Sequence, residues 1–168
     1  MEANEQRVRR SNTLGPTGEL VAANLALLRG NRGMSTTQLS RLLDRLGRPI
    51  PPTGITKIEK CTRRVDVDDL MALAAALRVS PSRLLLMSTD RPEDTVDVTG
   101  FGEVSSHDAW DWLDGIRPLR APVAAEGTGS GGAESELGAL LDFALWSRPT
   151  GRRDKTLREV GLNGPSVD

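Results

Sequence analysis

The sequence is poor in the residues that build aromatic cores and covalent cross-links. Its 168 residues include no Tyr, two Phe and three Trp, which argues against a large aromatic core. A single cysteine, Cys61, excludes an internal disulfide and a cysteine-based metal cluster within one chain. We therefore expect one small domain that works without a cofactor.

Long apolar runs are also missing. The sequence has no run of about 18 apolar residues that would span a bilayer, and its first ten residues, rich in Arg and Glu, lack the apolar middle of a signal peptide. These absences predict a cytoplasmic protein with no membrane partner.

Catalytic constellations are missing as well. The sequence shows no metal-ligand cluster and no nucleophile–base pair. The stretch EGTGSGGAE at 126–134 is not a phosphate loop, because no Gly-Lys-Ser/Thr follows it. We do not expect an enzyme.

The net charge is close to zero over the whole chain but not within each of its two parts. The net charge is −1. Residues 1–87 carry 14 Lys and Arg against 8 Asp and Glu, whereas residues 88–168 carry 8 against 15. The first part therefore suits a polyanionic partner and the second does not. Alone, this division does not separate nucleic-acid binding from other functions.

Residues 16–87 contain five short helical patterns with short connections. Thr17 is expected to cap the first helix. Ser35 and Gln38 fit a capping box at the start of the second, and Asp66 is expected to cap the fourth. Together these signals predict a compact all-α domain of five helices.

The third pattern, IPPTGITKIEK at 50–60, combines helix breakers with helical spacing. Pro suits the first helical position because its missing N–H would have no intrahelical partner there, so Pro52 is predicted to start a helix that ends at Lys60. Ile55 and Ile58 lie three apart and are expected to hold this helix against its neighbours. The polar face left for something outside carries Thr53, Thr56, Lys57 and Lys60.

A short, rigidly aimed helix after a capped helix is typical of the helix-turn-helix that enters the DNA major groove. The stretch GMSTTQLSRLLDRLG…PPTGITKIEKCTRRVDVDDLMALAAALRVSPSRLL resembles the Cro/repressor-type helix-turn-helix of the Xre family, and most of all the regulators of high-GC Gram-positive bacteria. The resemblance covers about residues 17–87. It implies an all-α, five-helix Cro/repressor-like fold and a nucleoid-associated transcriptional regulator that binds double-stranded DNA as a homodimer or as paired monomers.

The resemblance also implies roles for individual residues. Base edges in the major groove would be contacted by Pro52, Thr53, Thr56 and Lys57. Backbone phosphates would be held by Ser35, Thr36, Gln38, Lys60, Arg63 and Arg64. A partly buried ion pair between the first and third helices would be formed by Arg29 and Glu59.

The sequence departs from the family pattern at three places. Many members have Gln where Thr36 stands and Gly where Cys61 stands, and the loop 45–51 is several residues longer here. If Cys61 must be left-handed, the end of the third helix costs about 1 kcal/mol.

Alternative readings remain for the charged residues. Without the resemblance, Thr53 and Lys57 would be an ordinary solvated helix face. Arg63 and Arg64 could instead balance the carboxylates that follow them, namely Asp66, Asp68 and Asp69. Arg29 and Glu59 could be an exposed pair worth less than about 1 kcal/mol.

Beyond residue 88 the sequence predicts less. The stretch TVDVT at 95–99 alternates like a short half-exposed strand, and Ser105 or Ser106 could cap a helix that runs through Leu113, all within a short extension at 88–123. Residues 136–147 fit an amphipathic helix.

The remaining segments are expected to lack a fixed structure. They are a flexible N-terminal arm at 1–15, a Gly-rich linker at 124–135 and a disordered tail at 148–168, so that the acidic C-terminal extension is poorly ordered as a whole. The main alternative function is a protein-binding adaptor or antitoxin-like partner that uses the helical domain together with this extension, with a protein partner on residues 88–147.

Overall fold

A computed structural model of the protein describes residues 14–119 and 133–149. In these ranges the chain forms the helices α1 (Pro16–Asn31), α2 (Thr36–Arg45), α3 (Pro52–Glu59), α4 (Val67–Leu77), α5 (Pro81–Leu85), α6 (Ser106–Leu113) and α7 (Ala133–Ser147). The strands β1 (Thr95–Val98) and β2 (Gly102–Ser105) lie between α5 and α6. Most of the predicted arm, linker and tail lies outside the described residues, although α7 begins inside the predicted linker.

The helix starts follow local capping signals at most positions. Ser35 and Gln38 form the predicted capping box, and the Asp66 carboxylate accepts a hydrogen bond from the backbone N–H of Asp69. The prediction for Thr17 is wrong, because Pro16 occupies the first turn and moves the N-cap to Gly15. The Thr17 hydroxyl instead accepts a hydrogen bond from the backbone N–H of Thr99, at 3.0 Å.

The first five helices enclose one hydrophobic core. Each of the five contributes at least one fully buried side chain, and these are Leu25, Leu39, Leu43, Ile55, Ile58, Leu73, Leu77 and Leu84. Leu46, by contrast, is half exposed, because it caps α2 and lies beyond the last turn of that helix. This core fixes the inner face of α3, which leaves the polar face of that helix on the outside.

The expectation of an all-α, five-helix Cro/repressor-like fold with a poorly ordered acidic extension is wrong. In the described part of the chain, β1 and β2 pair antiparallel, with Thr95 opposite Ser105 and Val98 opposite Gly102. They form a second core with α6, whose buried residues are Leu86, Val96, Val98, Ala109 and Leu119. The architecture is therefore mixed, and most of the 88–119 stretch is folded.

The second strand gave no sequence signal. Its four residues, GEVS, include Val104 as their single large apolar side chain, and the first two positions are exposed. The chain turns into it through Gly100 and Gly102, whose φ angles of 92° and 82° suit glycine. The strand therefore follows from the turn and from pairing with β1 rather than from its own composition.

Two tryptophans of α6 pack against the rest of the protein. The Trp110 indole N–H donates to the backbone carbonyls of Met87 and Thr89, at 3.2 and 3.1 Å. The Trp112 ring lies 5.4 Å from that of Phe101, tilted by 60°. Both rings thus contribute to the second core.

α1 joins the two cores. Its buried Asn24 side chain donates to the backbone carbonyls of Leu84 and Leu86, at 3.0 and 2.8 Å. Leu84 belongs to the first core and Leu86 to the second, while Leu20 of α1 packs against the second. One helix is thus shared by both parts of the fold.

Candidate nucleic-acid interface

Backbone geometry positions α3. Pro51 is the N-cap with ψ 156°, and Pro52 occupies the first turn, so the fixed φ of proline sets where the helix begins. Ile55 and Ile58 are fully buried, as the sequence predicted. The helix ends at Glu59, with Lys60 as its C-cap, one residue earlier than expected.

Gly54 allows the chain around α3 to approach closely. A Cβ atom at this buried glycine would lie 3.1 Å from Cγ2 of Ile50 and 3.3 Å from Nη1 of Arg63. Both distances are tighter than ordinary van der Waals contact, so a larger residue would push the loop or the guanidinium away. The sequence analysis gave Gly54 no role, although a glycine inside a short helix is a signal for such an approach.

The residues predicted to contact bases lie on the outer side of α3. Thr53 and Lys57 are exposed, while Pro52 and Thr56 are half-buried. The Thr56 hydroxyl donates to the Pro52 carbonyl at 3.0 Å, so the helix already uses its proton. Among the described residues no carboxylate pairs with Lys57, so its ammonium is not neutralised within the protein.

The start of α2 carries three residues predicted to hold phosphates. The Ser35 N–H donates to Oε1 of Gln38 at 2.7 Å, and the Gln38 N–H donates to Oγ of Ser35 at 3.2 Å. The first bond occupies the side-chain carbonyl of Gln38, and the side-chain NH₂ of Gln38 remains able to donate elsewhere. Thr36 is half-buried in the first turn, where backbone N–H groups have no intrahelical acceptor.

The three cations after α3 have different surroundings. Lys60 and Arg64 are exposed. Arg63 instead donates from Nη2 to Oδ2 of Asp69, at 2.7 Å. The alternative reading, in which this arginine balances a following carboxylate, therefore describes Arg63 as it stands in the fold.

Asp69 holds the segments on both sides of α3. Its side chain is buried, and Oδ1 accepts from Nε of Arg48 at 2.8 Å while Oδ2 accepts from Arg63. Arg48 lies before α3 and Arg63 after it. The hydrogen bond to Asp69, more than the charges of Asp66 and Asp68, raises the pKa of Arg48 above its usual value. Sequence reasoning missed this contact, because Arg48 and Asp69 are 21 residues apart and no local motif joins them.

The predicted ion pair between α1 and α3 is bidentate. Nε and Nη2 of Arg29 donate to the two carboxylate oxygens of Glu59, at 2.6 and 3.0 Å. A third donor, Nη1, bonds the Met34 carbonyl at 2.7 Å. The hydrogen bond to Glu59 outweighs burial and raises the pKa of Arg29. The side chains of Arg29 and Glu59 are only 21% and 13% exposed. The alternative interpretation, in which they form an exposed pair, therefore does not describe them.

Comparison with models of protein families, with curated proteins and with solved structures finds no significant match to the chain. What α2 and α3 do is therefore inferred from their own side chains. Within 14–119 and 133–149, no helix combines the length and apolar character needed to cross a membrane. In the same ranges, His, Cys, Asp and Glu nowhere form a group of three or more suited to a metal ion.

Proposed function

We propose that the protein is a sequence-specific transcriptional regulator that binds double-stranded DNA and reads the major groove with α3. The observation that carries this proposal is the division of α3 into a fully buried side and an exposed cationic side. Ile55 and Ile58 are inaccessible to solvent, whereas Thr53, Lys57 and Lys60 face outward. A short helix with this division presents hydrogen-bonding groups to base edges while its backbone stays fixed.

The supports on both sides of α3 favour the same function. Asp69 binds Arg48 and Arg63, and Arg29 binds Glu59 in the last turn, so the helix is anchored at its two ends. Readout of bases requires side chains held in a fixed geometry by packing and hydrogen bonds. Charge supports it too, because residues 14–87 carry 11 Lys and Arg against 6 Asp and Glu.

The resemblance to Xre-family regulators supports the same proposal from the sequence. In this reading Pro52, Thr53, Thr56 and Lys57 contact bases. Ser35, Thr36, Gln38, Lys60 and Arg64 contact phosphates, and Arg63 does so if DNA draws it away from Asp69. One domain offers few base contacts, so we propose a homodimer whose two α3 helices reach half-sites about 34 Å apart.

The deciding experiment is selection of bound sequences from a random duplex pool with the full chain. A regulator enriches a defined sequence. Its affinity for that sequence falls steeply with salt, and log K decreases linearly with the logarithm of the salt concentration. Enrichment of no sequence together with an absence of salt dependence would reject the proposal.

A second candidate is a protein-binding adaptor, and α7 is the observation that favours it. Trp146 is 84% exposed and Leu145 51% exposed, on a helix whose Ala144 is buried. Large apolar side chains exposed side by side are typical of protein interfaces. The adaptor reading predicts that a partner protein protects Trp146 from solvent, which a fluorescence shift would report, and that duplex selection fails.

A further inference from the structure

A shallow groove runs between the end of α1 and the outer side of α2. It has a volume of about 360 Å³, and three arginines line it, namely Arg32, Arg41 and Arg45. Met34 and Leu42 supply its apolar part. None of the three arginines had a role in the sequence analysis or in the proposed reading of α3.

The charge of this groove is not balanced by the protein around it. Among the described residues, no carboxylate pairs with Arg41 or Arg45, and Asp44 on the same helix does not reach either of them. Arg32 makes one long hydrogen bond, at 3.5 Å, to the Leu28 carbonyl. By contrast, Arg29, Arg48 and Arg63 all pair with carboxylates.

The placement of two of these arginines works against folding. Arg41 and Arg45 are four residues apart on α2, so they lie on one face of the helix and repel each other. An anion between them would remove that repulsion. The planar guanidinium binds phosphate oxygens in pairs and is therefore suited to phosphate.

The groove is continuous with the start of α2. Gln38 lines the groove and also forms the capping box with Ser35. From Gln38 the groove extends along α2 to Arg45, a distance of about 10 Å at 1.5 Å per residue. That length is comparable to about three nucleotides of a DNA strand at 3.4 Å each.

We infer that this arginine groove is a second phosphate-binding site, which holds the DNA backbone beyond the phosphates at the start of α2. The inference rests on the proposed function, and it extends the footprint of the protein on DNA along the outer side of α2. The groove carries no base-reading group of its own, so it adds affinity and salt dependence without sequence preference.

The test compares salt dependence between variants of the full chain on one random-sequence duplex. Arg41→Gln and Arg45→Gln remove charge while keeping a residue of similar helix propensity. Each is expected to weaken binding several-fold, and the double variant should lower the slope of log K against log salt by about 1.8, or 0.9 for each phosphate. The preferred sequence in the duplex selection should stay the same.

Arg78→Gln is the matched control. Arg78 is exposed, does not line the groove and has no partner among the described residues. Arg78 is the C-cap of α4, and Asp66 is the N-cap at the opposite end of the same helix. The two ends are about 16 Å apart along the helix axis. Removal of Arg78 takes away the same charge and should leave the salt slope unchanged. An equal loss in Arg78→Gln would show a general charge effect and overturn the inference.

Failure of the inference and failure of the proposed function give different results. If the natural protein binds duplex DNA but the double variant keeps its salt slope, the groove is not a DNA site and the regulator proposal stands. If the natural protein binds no duplex, both are rejected. A titration with inorganic phosphate at constant ionic strength completes the test. A response there that Arg41→Gln abolishes, with an unchanged salt slope on DNA, would make the groove a site for free phosphate and overturn the assignment to DNA.

Discussion

Arg29 and Glu59 connect the last turn of α1 to the last residue of α3 through two parallel hydrogen bonds. The remaining guanidinium nitrogen of Arg29 bonds the Met34 carbonyl, so the chain between α1 and α2 is held by the same side chain. The geometry limits rotation of α3 relative to α1, because both partners of the pair must keep their planes aligned.

Glu59→Gln should destabilise the protein by about 1–3 kcal/mol, because it leaves a partly buried guanidinium without its charged acceptor. The loss is measured as a lower urea midpoint at an unchanged m-value. The control is a double-mutant cycle with Arg29→Gln, in which the double variant should lose less than the sum of the single losses. Strict additivity would mean that the two side chains do not stabilise each other.

Asp69→Asn should destabilise the protein by about 1.5–3 kcal/mol, because a neutral amide cannot accept charged hydrogen bonds on both of its side-chain atoms. Arg48 and Arg63 would each lose or weaken a bond, and the flanks of α3 would loosen. Chemical denaturation measures the effect. Asp68→Asn is the control, since that carboxylate is 80% exposed and 3.9 Å from Arg48. A change at that site should stay within about 0.5 kcal/mol.

Cys61→Gly should stabilise the protein by about 0.5–1 kcal/mol, because left-handed strain is relieved and only part of the gain is offset by the greater freedom of glycine in the unfolded chain. Cys61 has a φ of 56°, which lies in the left-handed region that favours glycine. The melting temperature of Cys61→Gly is compared with that of Cys61→Ala, which removes the thiol but keeps the Cβ atom. If Cys61→Ala gave the same gain, the thiol and not the backbone would be responsible.

Lys57→Ala and Lys60→Ala should affect DNA binding in different ways. Under the proposed function, Lys57 reads a base, so its loss should change which sequences are enriched from a random duplex pool. Lys60 would hold a phosphate, so its loss should weaken all sequences alike and reduce the salt slope by about 1. The same enriched sequence for the natural protein and for Lys57→Ala would remove Lys57 from the base-reading set.

Asp94 should make stability depend on pH in the acid range. Hydrogen bonds from Thr89 and then Arg91 lower the pKa of this carboxyl below its ordinary value of 3.8. The folded state therefore gains stability above that value and loses it as the pH falls through the lower folded-state pKa. Thermal melting of Asp94→Asn should show a deficit near neutral pH that shrinks in acid. A deficit in Asp94→Asn that stayed the same from neutral to acid pH would contradict this prediction.

Local signals in the sequence were sufficient for the placement of α3. The start of the helix follows from Pro52, its buried side from the spacing of Ile55 and Ile58, and the start of α2 from Ser35 with Gln38. Each of these depends on residues within one or two helical turns. The sequence could therefore predict them without knowledge of the fold.

Contacts between distant parts of the chain could not be predicted in the same way. Arg48 reaches Asp69 only because α2 and α4 pack side by side, and β2 forms only because β1 offers it a partner. The second core was missed for the same reason, since its buried residues come from a strand, a helix and the connections around them. The fold-class prediction failed where the structure depends on pairing rather than on local pattern.

The sharing of α1 restricts how its length can change. Leu20 packs against the second core, and Leu28 lies in the first core. Between them, Asn24 binds the carbonyls of Leu84 and Leu86. One residue inserted between Leu20 and Leu28 would rotate one end of the helix by about 100° relative to the other. Insertions and deletions in α1 are thus tolerable only at its ends.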